Sequence, residues 1–287
     1  MQQRRSKFIV PCLVSALLLL APTGAGAAPD DVKVEVIGGR DVLVFVPAVL
    51  PARGQRVLVM VLHGGLGNAQ RIAARTAEGG LNMNAVAATD GFVVAYLNGT
   101  PVTRRLGADK LGWNAGGGCC GLSAENRIDD VAYLTKAIDA LVVAYGIDRE
   151  RVYAMGHSNG AMMAQRLLCE TGLLAAAVRV SGPLNLDIDA CPAARGRRVL
   201  AIHGADDRNV PVDGGRGTAG ISGATFRSQA DSRRAFVGGG ATYTLLMVEG
   251  ADHRFDRLDA MVRQTEGVSI AEKAARFFGL TDVTLRP

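Results

Sequence analysis

The pattern of hydrophobic and polar positions predicts a chain of alternating strands and helices. Residues 32–37 and 42–46 alternate or run apolar, as an opening hairpin would. Nearly continuous apolar runs are typical of strands that are buried on both faces. Such runs occur at residues 56–63 and 92–97, and further strands are predicted at 151–156, 176–180, 198–203 and 241–248.

Several segments between these strands have apolar residues at helical spacing. Residues 125–145 and 161–168 have this spacing, and residues 269–278 predict a closing helix that ends at Gly279. The alternation predicts an α/β fold with a mostly parallel, doubly wound sheet flanked by helices. No internal repeat or linker is visible, so we expect a single domain whose chemistry lies beyond the carboxyl ends of the strands.

The N-terminus has the pattern of a secretion signal. Three cations lie within the first seven residues, residues 8–20 are apolar, and residues 25–27 form a small-residue cleavage site. We therefore predict a signal peptide at 1–27 and a catalytic domain at 28–287, in a secreted or periplasmic protein. The apolar stretch is short for a membrane span, so no stable span is expected after cleavage; an uncleaved anchor is the alternative.

Net charge gives little indication of a partner. The whole chain carries a formal charge of +5, and removal of the three signal cations leaves 29 basic against 27 acidic residues. A balance of +2 is not the footprint of a nucleic-acid-binding protein, so no nucleic-acid partner is expected. The sequence does not indicate an oligomeric state.

Four cysteines remain after the signal, because Cys12 lies within it. An even number in an exported protein predicts two disulfides among Cys119, Cys120, Cys169 and Cys191. Three pairings are possible, but adjacent cysteines rarely bond each other because the ring is strained. We therefore expect Cys119 and Cys120 to bond across to the other two. The sequence has no C-x-x-C pair and no histidine near the cysteines, so no metal site is predicted.

A serine lies at the apex of a predicted strand-turn-helix. The turn reads Gly156-His157-Ser158-Asn159-Gly160, which matches G-x-S-x-G. Such a turn holds its serine on strained backbone and exposes the hydroxyl as a nucleophile, while the small residues allow strand and helix to cross closely.

The nucleophile needs a base, and the mature chain has four histidines. His253 follows the last strand, where a hydrolase with the order Ser, acid, His has its base. His157 should point away from the serine, and His63 and His203 should shape their loops. The acid should follow the strand at 198–203, where Asp206 and Asp207 both fit.

The negative oxygen of a tetrahedral intermediate needs preorganised N–H donors. The amide of Asn159 is one candidate, and the glycine-rich loop at residues 62–68 should supply the other. We expect the amide of Gly65 to be this second donor, with the amide of Leu66 as the alternative. The loop could instead be an ordinary glycine turn with no role in catalysis.

The loop at residues 112–121 contains the only tryptophan. Its glycines match G-x-G-x-x-G by letter, but no strand enters the loop, so a dinucleotide site is rejected. Trp113 and Asn114 are expected to form a wall of the substrate cleft, and packing of Trp113 in the core is the alternative.

Taken together, these motifs resemble the secreted α/β-hydrolase esterases grouped around polyhydroxybutyrate depolymerases and feruloyl or acetylxylan esterases. The resemblance covers residues 55–280. The matching pieces are Leu62-His63-Gly64-Gly65, Trp113-Asn114 through Cys119-Cys120-Gly121, Gly156 through Met163, His203-Gly204 with Asp207 and Val210-Pro211, and His253.

The resemblance implies an α/β-hydrolase with Ser158 as nucleophile, Asp207 as acid, His253 as base and no cofactor. This chain departs from the family at Ala251-Asp252-His253-Arg254-Phe255, where members often carry Trp-Pro after the histidine. Depolymerases of solid polymer also carry a linker and a binding domain, and neither is predicted here. We therefore expect small-molecule or oligomeric, soluble ester substrates.

Two other functions fit the same pattern. A peptidase or thioesterase would use the same residues, since acyl transfer to several leaving groups needs the same parts. A cell-envelope binding protein that retained the fold without activity is the third possibility, and the intact Ser, Asp and His set argues against it.

Overall fold

The computed structural model describes residues 31–73, 81–220 and 222–281. The predicted signal peptide lies outside these residues. The described strands are β1 (Asp31–Ile37), β2 (Arg40–Val46), β3 (Arg56–Leu62), β4 (Val93–Leu97), β5 (Thr100–Pro101), β6 (Leu111–Gly112), β7 (Ile147–His157), β8 (Ala176–Val180), β9 (Arg198–Gly204), β10 (Gly215–Arg216), β11 (Thr225–Phe226) and β12 (Thr242–Val248).

Eight of these strands form one sheet in the order β1-β2-β4-β3-β7-β8-β9-β12. The predicted hairpin is confirmed, because β1 pairs antiparallel with β2. Strand β2 also pairs antiparallel with β4, and every other neighbouring pair in this sheet is parallel. The mostly parallel sheet expected from the apolar runs is therefore confirmed.

Helices cover both faces of the sheet. They are α1 (Ala69–Ala73), α2 (Asn84–Asp90), α3 (Gly121–Glu125), α4 (Asp130–Tyr145), α5 (Asn159–Thr171), α6 (Gln229–Gly238), α7 (Phe255–Glu266) and α8 (Ile270–Phe278). The helix expected at 125–145 begins later, at Asp130, after Asp129 caps it by accepting a hydrogen bond from Ala132 N. None of the described helices combines the length and hydropathy needed to cross a bilayer.

The side chains of β3 face the two helical layers in turn, which explains why its sequence is continuously apolar. Val59 and Val61 face the layer of α1, α2, α7 and α8, whereas Leu58 and Met60 face the layer of α4, α5 and α6. All four side chains are fully buried. Successive side chains of a strand point to opposite faces, so a strand covered on both sides needs apolar residues at every position.

The predicted disulfide pairing is wrong. Cys119 bonds to its neighbour Cys120, and Cys169 bonds to Cys191. Cys169 lies near the end of α5, and the segment before β9 brings Cys191 to a Cα–Cα separation of 4.8 Å, which is within bonding range. Cys119 instead packs beside Met162 and Asn159 at the start of α5, about two to three helical turns before Cys169. The disulfides therefore do not tie the Trp113 loop to Cys169.

Replacing both Cys169 and Cys191 with serine should lower the free energy of unfolding by about 3 kcal/mol. The bond closes a loop across a sequence separation of 22, which restricts the unfolded chain. Urea unfolding checks this. The double serine variant of Cys119 and Cys120 is the matched control and should lose less, because its bond closes no long loop. Equal losses in the two variants would contradict the prediction.

Candidate active site

Ser158 occupies a sharp turn between β7 and α5, with φ 54° and ψ −122°. The turn forms because the residues two before and two after the serine are glycines. A Cβ on Gly156 would lie 2.5 Å from the backbone of Gly160, and a Cβ on Gly160 would lie 2.2 Å from the carbonyl oxygen of Leu62. Only glycine fits these approaches, so strand and helix cross closely and Ser158 projects from the sheet edge.

Three side chains from separate loops meet at this turn. His253 Nε2 lies 3.0 Å from Ser158 Oγ, and His253 Nδ1 lies 2.7 Å from Asp207 Oδ2. The carboxylate accepts a hydrogen bond from Nδ1–H, so Nε2 is left free to accept the serine proton. The structure therefore brings together the three side chains expected to act as nucleophile, base and acid.

Asp207 is held by hydrogen bonds to both of its oxygens. Oδ1 accepts from the backbone N–H groups of Asn209 and Val210, each at 2.9 Å. Oδ2 faces His253 and, at 3.1 Å, His203 Nε2. Burial would raise the pKa of Asp207, but these hydrogen bonds outweigh it and hold the pKa well below its usual range. Asp206, the other candidate acid, is exposed, and its N–H donates to Ala251 O in the turn.

The glycine loop after β3 lies over the nucleophile. A Cβ on Gly64 would lie 3.4 Å from Ser158 Cβ, and a Cβ on Gly65 would lie 3.9 Å from Asn159 Cβ. Leu66 has a positive φ of 65°, which is rare for a residue with a side chain. Gly65, its alternative Leu66 and the helix-starting Asn159 thus surround the serine, and their roles as oxyanion donors remain predictions.

Trp113 and Asn114 do not line the cleft, which corrects the expectation. Trp113 is fully buried, and its indole N–H donates to His63 O at 2.9 Å. It therefore supports the start of the glycine loop from the protein interior. Asn114 Nδ2 donates to Ile128 O at 2.9 Å. The side chain of Asn159 binds the backbone of Trp113 at both its N–H and its C=O, at 2.7 and 3.0 Å. This second role of Asn159 has no sequence signal.

His157 also differs from the expectation, because it faces the site. Its Nε2–H donates to the carbonyl oxygen of His253 at 2.9 Å, and the two rings are 5.0 Å apart. The loop that carries the base therefore rests on the residue before the nucleophile.

A cleft of about 580 Å³ opens beside Ser158. Its wall combines apolar groups with a few polar ones. It is lined among others by Leu66, Val102, Leu106, Cys120, Glu125, Met162, Asn209, Val210 and Phe226. In the described residues, no group of three or more His, Cys, Asp or Glu side chains is arranged to hold a metal ion.

Two histidines of the site should make the protein less stable in mild acid. Burial lowers the pKa of His63 to about 4, and burial together with His253 lowers the pKa of His157 to about 3. In the unfolded chain both titrate near 6.5. Between these values the unfolded state binds more protons, so acid favours unfolding. Near pH 5 the excess is about two protons, or about 2.5 kcal/mol per pH unit.

Urea unfolding at several pH values between 5 and 8 measures this slope. The free energy of unfolding should be nearly constant above pH 7.5 and fall steeply below pH 6. A free energy that does not change between pH 5 and 8 would contradict neutral burial of these rings.

The strand order, with the antiparallel β2 and the serine turn after the central β7, defines the α/β-hydrolase fold. Comparison with known proteins agrees. The structure resembles a puromycin-hydrolysing peptidase of Mycobacterium tuberculosis with a TM-score of 0.59 and 19% identity, over 91% of this chain and 40% of that chain. An S-formylglutathione hydrolase from Agrobacterium tumefaciens has a TM-score of 0.55 and 14% identity, over 87% of this chain and 94% of that chain.

In sequence, the chain is similar to a putative esterase, NocK, from Nocardia uniformis subsp. tsuyamanensis. The two are 32% identical over 165 residues, which cover 55% of this chain and 42% of the esterase. The chain therefore spans less than half the length of this relative. No family model matches the chain.

Proposed function

We propose that the protein is a serine carboxylic ester hydrolase. The observation that carries this proposal is the unbroken line of contacts from Ser158 Oγ through the His253 ring to Asp207, at 3.0 and 2.7 Å. Such a line makes a weakly acidic hydroxyl nucleophilic at neutral pH. The partial similarity to a putative esterase supports the choice of an ester as substrate.

The reaction follows from the positions of these atoms. Ser158 Oγ attacks the ester carbonyl while His253 Nε2 takes its proton. The amides of Gly65 and Asn159 stabilise the negative oxygen, and the imidazolium is stabilised by Asp207. His253 then gives its proton to the departing alcohol, which leaves an acyl group on Ser158. Water, activated by the same imidazole, releases the acid and restores the serine.

The lining of the cleft suits an ester with an apolar acyl or alcohol group. Leu66, Val102, Leu106, Met162 and Phe226 supply apolar contact, whereas Glu125 is an exposed carboxylate that disfavours an anionic group nearby. The signal pattern at residues 1–27 supports a secreted or periplasmic location. The resemblance to polyhydroxybutyrate depolymerases and feruloyl or acetylxylan esterases supports hydroxyacyl, aryl or acetyl esters.

Initial rates on matched acyl donors test the proposal. One acyl group is presented as a nitrophenyl ester, a thioester and an anilide, and the ester should give by far the highest kcat/KM. A higher value for the anilide would identify a peptidase instead, and a higher value for the thioester a thioesterase. Hydroxybutyrate oligomers, methyl ferulate and acetylated xylan then separate the substrate classes. Absence of turnover on every substrate would support a non-catalytic binding protein.

A further inference from the structure

Behind Asp207 lies a buried polar cluster that the reaction above does not use. It consists of Arg179 on β8, His203 on β9, Gln229 at the start of α6 and Tyr243 on β12. Arg179 and His203 are fully buried, and Gln229 is 2% exposed. Buried polar groups of this kind are costly unless each has its partner, so the partners fix where the protons lie.

The contacts of Gln229 determine the tautomer of His203. Gln229 Oε1 faces two donors, Arg179 Nη2 and the Tyr243 hydroxyl, so the amide oxygen points that way. Gln229 Nε2 therefore donates to His203 Nδ1 at 2.7 Å, and Arg179 Nη1 lies 3.4 Å from the same nitrogen. With two donors directed at Nδ1, the proton of a neutral His203 ring resides on Nε2.

The N–H group at Nε2 donates to a backbone carbonyl and lies against the acid. His203 Nε2 lies 2.9 Å from Val210 O and 3.1 Å from Asp207 Oδ2, the same oxygen that accepts from His253. Burial lowers the pKa of His203 and outweighs the hydrogen bond to Asp207, while Arg179 lowers it further. The ring therefore remains neutral and acts as a donor without adding charge.

The cluster also holds a positive charge on one side of the His203 ring, opposite the negative charge of Asp207. Within the described part of the chain, Arg179 contacts Gln229, Tyr243 and His203 but no carboxylate. Asp207 in turn contacts no arginine or lysine there. A buried guanidinium and a buried carboxylate thus lie on opposite sides of one imidazole, which is polarised between them.

We propose that His203 is a positioning residue that links the buried charge of Arg179 to Asp207 and fixes the carboxylate that orients His253. The expected effect on kcat rests on the proposed function, whereas the expected tautomer of His203 does not. Two amides at Oδ1 and two imidazoles at Oδ2 favour one orientation of Asp207, in which Oδ2 is the acceptor for Nδ1–H of His253.

Histidine ¹⁵N NMR of the whole protein tests the structural part without any substrate. The signal of His203 is assigned by its loss in His203→Gln. We expect a neutral ring with the proton on Nε2 at pH 7 to 8. A proton on Nδ1, or a charged ring at pH 7, would overturn the proposal.

Kinetics of three variants test its consequence. His203→Leu should lower kcat on a short-chain nitrophenyl ester by about 10- to 100-fold with little change in KM, because the polar contact of Nε2–H with the charged Asp207 is lost. His203→Gln, which keeps an N–H near the position of Nε2, should recover most of kcat. Leu200→Ala is the control on the same strand, because Leu200 is buried in the layer remote from this cluster. It should lower stability but not kcat.

The outcomes separate this proposal from the esterase proposal. A His203→Leu variant with unchanged kcat, or a His203→Gln variant no better than it, would overturn the positioning role. If the wild-type protein hydrolyses no ester, its rate of reaction with a fluorophosphonate replaces kcat as the measure of an activated serine. If His203→Leu does not fold, the tautomer measured in the wild-type protein decides.

Discussion

Ser158→Ala should lower kcat on a short-chain nitrophenyl ester by about 10⁵- to 10⁶-fold. The variant removes the only atom that would bond to the acyl group, the Oγ that lies 3.0 Å from His253 Nε2. A small rate above that of the uncatalysed reaction should remain, because the amides around the turn can still stabilise the negative oxygen. Because an alanine keeps the Cβ of the serine on the same backbone, the fold should persist, and circular dichroism with thermal unfolding checks this.

The chain supplies a matched control in Ser181. This serine follows β8 and also has a φ of 54°, and it is fully buried. Its hydroxyl has no polar partner among the described residues. Ser181→Ala therefore repeats the chemical change at a second serine with positive φ, whose hydroxyl makes no hydrogen bond to His253 within the described residues, and kcat should change less than about threefold. Retention of activity by Ser158→Ala would exclude Ser158 as the nucleophile.

Asp207→Asn should lower kcat by roughly 10⁴-fold while the protein remains folded. An asparagine has only one acceptor oxygen, whereas Asp207 accepts from two backbone N–H groups and the His253 ring, and His203 Nε2 lies 3.1 Å from Oδ2. Its NH₂ group would face the His253 ring and favour the tautomer with the proton on Nε2. That tautomer cannot accept the proton of Ser158, so the loss should appear in kcat more than in KM.

Asp206→Asn is the control for this substitution. Asp206 is adjacent in sequence but exposed, and within the described residues the carboxylate that pairs with His253 is that of Asp207. We expect its kcat to stay close to that of the wild type. A large loss in Asp206→Asn with little loss in Asp207→Asn would reverse the assignment of the acid.

Much of the fold could be predicted because burial on both faces leaves a strong trace in sequence. The runs at 56–63 and 198–203 are apolar at nearly every position and correspond to β3 and β9. Helices α6 and α7 were not predicted. Two of the four buried residues of α6 are polar, so its apolar pattern is weak, whereas Phe255, Leu258 and Val262 of α7 recur at helical spacing and could have predicted that helix. The short helix α3 merges with α4 in the sequence pattern, because apolar spacing does not reveal the turn at Arg127, which has a φ of 50°.

The site was predictable where local sterics determine it. Glycines at 156 and 160 are required by the crossing of strand and helix, so Ser158 could be identified from five residues. The choice between Asp206 and Asp207 depends on which of the two side chains points into the protein, which local sequence does not reveal. The family resemblance indicated Asp207. The positions of Trp113 and His157 depend on hydrogen bonds to carbonyl groups of distant loops, at His63 and His253, which sequence patterns do not encode.

His203 shows a signal that sequence reasoning could have used. It lies at the end of β9, four residues before Asp207, and the turn between them folds its ring back onto the carboxylate. A histidine at the end of the strand that precedes the acid is therefore a candidate for a second contact to that acid.

Covalent labelling tests most directly whether Ser158 and His253 act as one unit. The protein is treated with a fluorophosphonate, and tryptic peptides are analysed by mass spectrometry. We expect the adduct on the peptide of residues 152–166, which contains Ser158, and its near-complete loss in folded His253→Ala. An adduct on another serine, or equal labelling of wild type and His253→Ala, would contradict the proposed triad.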